Sequence, residues 1–295
     1  MRIDLHAHSR VSDGTQSPSE LVRAAKAAGL DVLGLTDHDT TLGWAQAQAT
    51  AMEVGLTLVR GVEVSTRHLG RSVHLLAYLP DPTFEPLLEQ FDRILRGRGS
   101  RVPAIVERLQ GHGIDISVAD VQRAARGTAA TGRPHVADAM VSLGHVKDRT
   151  EAFRRFLNPG MPGYVDRYAA SLVEVLRIVA SAGGVSVIAH PWGRHGSVAM
   201  PESSLAELAG LGLAGIEVDH QDHSPADRET LRAIAHNLDL LVTGSSDHHG
   251  AGKIDHELGC NTTDPDEYHR LLALASAAAA RSGRRTPEVT GAMSP

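Results

Sequence analysis

The sequence predicts a closed or nearly closed α/β barrel of (β/α) units carrying a small helical insertion, and three observations predict it. About seven short β-branched runs alternate with Ala-rich amphipathic stretches. No glycine-rich phosphate loop follows the first run, as an open doubly wound sheet would normally show. The alternation breaks between Arg98 and Asp166, where helical patterns follow one another without a clear strand.

Taken in order, Arg2–Leu5 reads as a strand, and a Ser cap with Pro18 opens a helix whose spacing runs over Glu20–Ala28 and stops at Gly29. Asp31–Leu35 is a buried strand and Trp44–Val54 a helix, followed by strand material at Leu56–Val59 and Val62–Ser65. Val73–Tyr78 (strand) and Phe84–Leu95 (helix) repeat the unit. The insertion holds helical patterns at Arg101–Gln110, Ser117–Arg126, Pro134–Leu143 and Glu151–Leu157, with a turn at Gly127–Gly132. Leu172–Ala182, Val185–Ala189, Ser204–Leu211, Gly215–Asp219, Ala226–Asn237, Leu238–Thr243 and Tyr268–Ala280 then alternate helix and strand, ending on a helix. These patterns divide the chain into a barrel over 1–98 and 166–284, an insertion over 99–165, and a disordered tail over 285–295.

Composition narrows the function. With 29 Lys+Arg against 35 Asp+Glu, the 295-residue chain carries a formal charge of −6, which argues against a protein that coats nucleic acid or binds DNA duplexes. No apolar run approaches the ~20 residues of a membrane span. The start, Met1 to His6, lacks a charged leader followed by an apolar stretch, so a cytoplasmic location is expected. The single cysteine, Cys260, excludes an internal disulfide and a thiolate cluster. Histidine is the anomaly, with 17 residues against 2 Trp, 4 Tyr and 4 Phe, and it points to a metal site built from imidazoles and carboxylates.

The informative histidines fall just after apolar strands. His6 and His8 follow the first, Asp37, His38 and Asp39 the second, and Glu63 the third, while His74 begins the fourth. His190, His220, and Asp247 with His248 and His249 follow the later strands. Strand ends of (β/α) barrels converge on one bowl. Residues i and i+2 of an extended segment share a side, so His6-x-His8 and Asp247-x-His249 can each aim two ligands into it. Such a set suits Mn²⁺, Fe²⁺ or Zn²⁺, and Glu63 can bridge two ions. His112, His145, His236 and His269 lie off this pattern and read as ordinary surface or core residues.

The motifs His6-Ala7-His8-Ser9, Asp13-Gly14, Thr36-Asp37-His38-Asp39, Gly61-Val62-Glu63, His74, Ala189-His190-Pro191 and Ser246-Asp247-His248-His249 resemble, in order, those of the PHP (polymerase and histidinol phosphatase) superfamily. The insertion, with Gly132-Arg133-Pro134-His135 and the segment 153–162, resembles the branch that includes 3′,5′-nucleoside bisphosphate phosphatases and short-RNA 5′-to-3′ exonucleases. The resemblance implies a distorted (β/α)₇ TIM-like barrel with a trinuclear centre. His6, His8, Glu63 and Asp247 would hold one ion and Asp13, His38 and His249 a second, with Glu63 bridging to a third on His74 and His190. Manganese is the expected metal, as two or three ions, with Zn²⁺, Fe²⁺ or Mg²⁺ as alternatives.

The implied reaction is phosphomonoester hydrolysis by metal-activated water, without a protein nucleophile. His38, Asp247, His220 and His223 are the expected catalytic residues, the last two as sources of the leaving-group proton. Asp13, Arg101, Arg133, His135 and Arg194 are expected at the substrate, Arg133 foremost, because a guanidinium grips phosphate bidentately. Three positions depart from the branch: Met161 replaces a lysine, Asp219 an aromatic residue, and His248 a phenylalanine whose replacement should point away from its neighbours. The expected substrate is a small phosphorylated nucleotide. Short RNA, histidinol phosphate or another sugar phosphate, and a non-catalytic PHP module are the alternatives.

Overall fold

The computed structural model describes residues 1–193 and 200–289. Its strands are β1 (Ile3–Ala7), β2 (Val32–Leu35), β3 (Thr57–His68), β4 (Arg71–Tyr78), the two-residue β5 (Ala170–Ser171), β6 (Val185–Ile188), β7 (Gly215–Asp219) and β8 (Leu241–Gly244). They lie in the order β1-β2-β3-β4-β6-β7-β8, with β5 paired to β3. An Ala7–His248 bridge, in which the His8 N–H donates to the His248 carbonyl at 2.8 Å, brings the first and last strand ends together. The result is a nearly closed barrel of seven strands, as expected.

One reversal matters for the site. β3 and β4 are joined through Leu69 and Gly70, both with positive φ, so β4 runs antiparallel to β3 and β6 while the other neighbours are parallel. The beginning of β4 therefore meets the C-terminal ends of the parallel strands, and His74 pairs with Ser65. This explains why a histidine at a strand's start belongs with histidines at strand ends.

Side-chain parity separates two layers. Val59, Leu76 and Tyr78 share the alternation of Glu63 and His74, and they cluster with Ile3, Leu5 and Val187 beneath the histidines. Tyr268, Leu271 and Ala275 of the helix Pro265–Ser282 join the same cluster. The opposite faces of the strands pack against the surrounding helices. Local signals set the helix starts: at Pro18–Ala27, Ser17 and Glu20 form a reciprocal capping box with Pro18 in the first turn.

Residues between the barrel segments fold as helices Val102–Gln110, Val118–Ala125, Arg133–Ser142 and Arg149–Ala152, followed by a π-helix at Phe153–Leu157. They enclose their own apolar cluster, including Ile105, Leu109, Val136 and Met140. Several boundaries differ from expectation, and three of them have a clear local cause or consequence. The helix expected over Phe84–Leu95 runs over Glu85–Ser100, because Gly97 and Gly99 do not end it. The last barrel strand begins at Leu241 rather than Leu238, since Asp239 adopts a left-handed conformation after the preceding helix. Of the tail expected over 285–295, residues 285–289 contact the barrel: Arg60 donates to the Glu288 carbonyl at 2.7 Å, and Val289 packs on the inner cluster. Positions 290–295 lie outside the described residues. Among the described residues, no helix is long and apolar enough to cross a membrane.

Candidate metal centre

Among the described residues, four groups of ligand atoms converge at the strand ends, each within 4.8 Å, and three of them form one continuous centre. His6 Nε2 and His8 Nε2 stand 3.0 Å apart. Glu63 Oε2 lies 3.4 and 3.1 Å from them, and Asp247 Oδ1 lies 3.5 and 3.3 Å away. In the second group Asp13 faces His38 Nε2 at 3.7 Å and His249 Nε2 at 3.3 Å. Glu63 joins the third group: its Oε2 is 3.1 Å from His38 Nδ1, and its Oε1 is 2.7 Å from His74 Nδ1 and 3.2 Å from His190 Nε2. All nine expected ligands are thus brought together.

Backbone geometry places these groups. His6 and His8 reach the same side from β1 and its end, as the two-residue period requires. Asp247 and His249 do not: β8 ends at Gly244, and Asp247 takes a left-handed φ of 50° in the following loop. Gly14 lets the next loop fold over β1, since a Cβ there would meet the His8 carbonyl oxygen at 2.4 Å. His190 also has positive φ, at 29°, a strained conformation for a non-glycine residue.

Donor chemistry fits a bound cation. His6 Nδ1 donates to Glu217 Oε1 at 3.1 Å, which leaves the Nε2 lone pair facing its neighbours. Asp247 Oδ1 is buried without a hydrogen-bond partner among the described residues, while three imidazoles surround it within 3.5 Å. Without a cation the charges compensate one another. Burial opposes protonation of His6, but Asp247, Glu217 and Glu63 outweigh it and hold His6 well above the usual imidazole range. His8, subject to the same burial and to Asp247 and Glu63, is raised to about 9. Burial would raise Asp13, Glu63 and Asp247, yet the surrounding imidazoles, and Lys253 beside Asp247, hold all three well below the carboxylate range.

Asp13, His38 and His74 also line a cavity of about 490 Å³ together with Arg67, Arg98, Arg101, Arg133 and Arg167. Arg98 is buried on Asp39 at 2.9 Å. Arg133 stacks against Phe153 and Tyr164 and donates to the Leu157 carbonyl at 3.0 Å. Neither Arg101 nor Arg167 has a carboxylate within salt-bridge distance among the described residues. Burial and the neighbouring arginines push Arg101 down to about 8 and Arg167 to about 9.

Three expected residues lie elsewhere. His223 uses both ring nitrogens on backbone, Nδ1 on the Val218 carbonyl and Nε2 on the Trp192 N–H, so it has no proton to offer the centre. His220 is fully buried and touches the centre from behind, through Asp247 Oδ2, 3.4 Å from its Nε2, and the His190 ring, 5.0 Å between centroids. His135 accepts the Gly132 N–H on Nδ1 and lines a neighbouring cleft with Gly14 and Arg149, not the arginine cavity. Arg194 lies outside the described residues. His248 points away, toward Gln16 and the His256 carbonyl.

Other side chains at the site were not anticipated. Glu217 also accepts the His190 N–H at 2.9 Å, and buried Asp4 accepts the Ser246 N–H at 3.0 Å. Lys253 Nζ lies 2.5 Å from Asp247 Oδ2. Glu217 had a readable signal, a lone acid between Ile216 and Val218 in an apolar strand. Lys253 sits in a loop with no periodicity to orient it.

The model of the PHP domain matches residues 4–98. The 3′,5′-nucleoside bisphosphate phosphatase of Chromobacterium violaceum is 35% identical over 87% of this chain and 90% of its own length. A 5′-3′ exoribonuclease of Haemophilus influenzae is 33% identical over 84% of this chain and 90% of its own. A crystal structure described as a metal-dependent phosphoesterase, from Bifidobacterium adolescentis, superposes with a TM-score of 0.88 at 37% identity, covering 92% of this chain and 96% of that one.

Proposed function

The chain belongs to the PHP-domain family and is a metal-dependent phosphoesterase, and on that premise we propose that it releases the 3′-phosphate of nucleoside 3′,5′-bisphosphates to leave the 5′-monophosphate. The observation that carries this reading is the cavity in which Asp13, His38 and His74 share walls with five arginines. Its volume suits one nucleotide. Two of those arginines lack an acidic partner among the described residues, an arrangement that a second phosphate on the substrate would complete.

The ions, with manganese as the proposed metal, would be held by His6, His8, Asp13, His38, Glu63, His74, His190, Asp247 and His249. When bound they supply a Lewis acid for the phosphoryl oxygens and a water of lowered pKa. Arg133 and Arg101 grip the phosphate that is not cleaved and hold the ester over the centre. Lys253 and His220 both contact Asp247 Oδ2, which turns Oδ1 toward His6 and His8. His220 is a positioning residue in this scheme. Residues 99–165 act as a cap that brings Arg101 and Arg133 to the barrel of 1–98 and 166–284, and the cytoplasm is the compartment this reading implies.

A short 5′-phosphorylated RNA is the second reading. It draws on the adjoining cleft of about 600 Å³, lined by Arg10, Arg123, Lys147 and Arg149, which offers room beyond one nucleotide. The test is turnover by metal-stripped protein reconstituted with Mn²⁺, Mg²⁺ or Zn²⁺. The substrates are adenosine 3′,5′-bisphosphate, AMP, histidinol phosphate and a short 5′-phosphorylated RNA. Strong preference for the bisphosphate is expected. Equal turnover of every monoester would reduce the reading to an unselective phosphatase, and preference for the RNA would favour the exonuclease.

A further inference from the structure

Beside the centre, the loops after β7 and β8 bring together His220, Asp222 and His256, with ligand atoms within 4.8 Å of one another. His256 Nδ1 donates to the Ile254 carbonyl at 2.7 Å, which fixes the tautomer and leaves the lone pair on Nε2. That Nε2 is buried and has no hydrogen-bond partner among the described residues, although it faces Asp222 Oδ1 at 3.7 Å. Asp222 Oδ2 in turn lies 4.0 Å from His220 Nδ1. Two lone-pair donors and a carboxylate thus converge. An unsatisfied buried nitrogen is costly, and a cation is the partner that suits all three.

We propose that His220, Asp222 and His256 form a further divalent-cation site, distinct from the nine-ligand centre and of the two-imidazole, one-carboxylate type that suits Zn²⁺. Binding there takes the His220 Nδ1 lone pair from the Asp222 N–H, which it accepts at 3.1 Å. One neutral hydrogen bond is weak beside a metal–imidazole bond. The proton of His220 is then fixed on Nε2, 3.4 Å from Asp247 Oδ2. A metal-bound histidine donating its other N–H to a carboxylate is a recurrent arrangement, and here that carboxylate is a ligand of the main centre. The Lys253 ammonium is the opposing charge nearby, and it is drawn off to Asp247 Oδ2 at 2.5 Å.

The test is the zinc content of the full chain after loading and dialysis, for the unchanged protein and for His256→Gln and Asp222→Asn. Zinc-edge anomalous diffraction from loaded crystals accompanies it. Asp222 is partly exposed, so its variant keeps the test open if His256→Gln fails to fold. Each variant is expected to hold one zinc fewer, with an anomalous peak within coordination distance of His256 Nε2 in the unchanged chain. Equal zinc content in all three, or no peak there while the main centre is filled, would overturn this site and leave the phosphoesterase reading standing. A chain that takes up zinc in neither place would overturn both.

Discussion

Glu217 accepts a hydrogen bond from His6, with 3.1 Å between Oε1 and Nδ1 and both side chains wholly buried. The carboxylate selects the His6 tautomer that turns Nε2 to the centre. Glu217→Gln keeps the shape and removes the charge, and it is expected to weaken metal binding by about 10- to 100-fold. A competition titration with a metal-sensitive dye measures this, and unchanged affinity would show that Glu217 only fills space.

Arg133→Ala is expected to lower kcat/KM for adenosine 3′,5′-bisphosphate by about 10- to 100-fold, in line with a charge-assisted hydrogen bond of ~1.5–3 kcal/mol. Turnover of AMP and metal affinity should hardly move. Arg133→Lys should not restore the loss, because an ammonium lacks the planar fork. Equal losses on both substrates would remove Arg133 from the second phosphate.

Metal uptake near pH 7.5 is expected to release protons. His6 lies well above its usual range and His8 near 9 in the metal-free chain, so both hold protons that ligation must displace. Because its folded pKa is raised, protonated His8 stabilises the metal-free fold fully below about pH 6.5, and that contribution is lost as pH rises through about 9. Metal affinity should therefore climb with pH across the same window. Calorimetry in buffers of different ionisation enthalpy counts the protons, and buffer-independent heats would contradict the charge arrangement.

His223→Ala is expected to act on stability, since the ring ties the Val218 carbonyl to the Trp192 N–H just after His190. The buried Trp192 N–H loses its partner, which costs about 1–3 kcal/mol, while the Val218 carbonyl still accepts the His220 N–H at 3.0 Å. A chain of this size loses roughly 2–4 °C in Tm per kcal/mol. Melting curves should fall accordingly while the pH profile of kcat keeps its shape. A displaced profile would make His223 an acid after all.

Much of the centre was legible because strand ends are. His6, His8, His38, Glu63 and His190 each follow an apolar run, and the barrel turns that local fact into a common direction. His74 was legible as a residue but not in its orientation, which depends on the β3–β4 reversal at Leu69–Gly70. Asp247 and His249 were placed together for a reason the structure replaces, a left-handed turn instead of an extended pair. Glu217 and Asp4 went unread because an acid inside an apolar strand shows its partners only once other strands close around it. The burial of Arg98 on Asp39 depends on a contact between residues far apart in the sequence. Periodicity along one helix cannot supply such a contact.

Anomalous diffraction at the manganese edge, from crystals of the Mn²⁺-loaded chain, tests the central claim most directly. Strong peaks are expected between His6, His8, Glu63 and Asp247, and between Asp13, His38 and His249, with a third beside His74 and His190. A map without peaks among these side chains, from crystals grown in saturating Mn²⁺, would contradict the account.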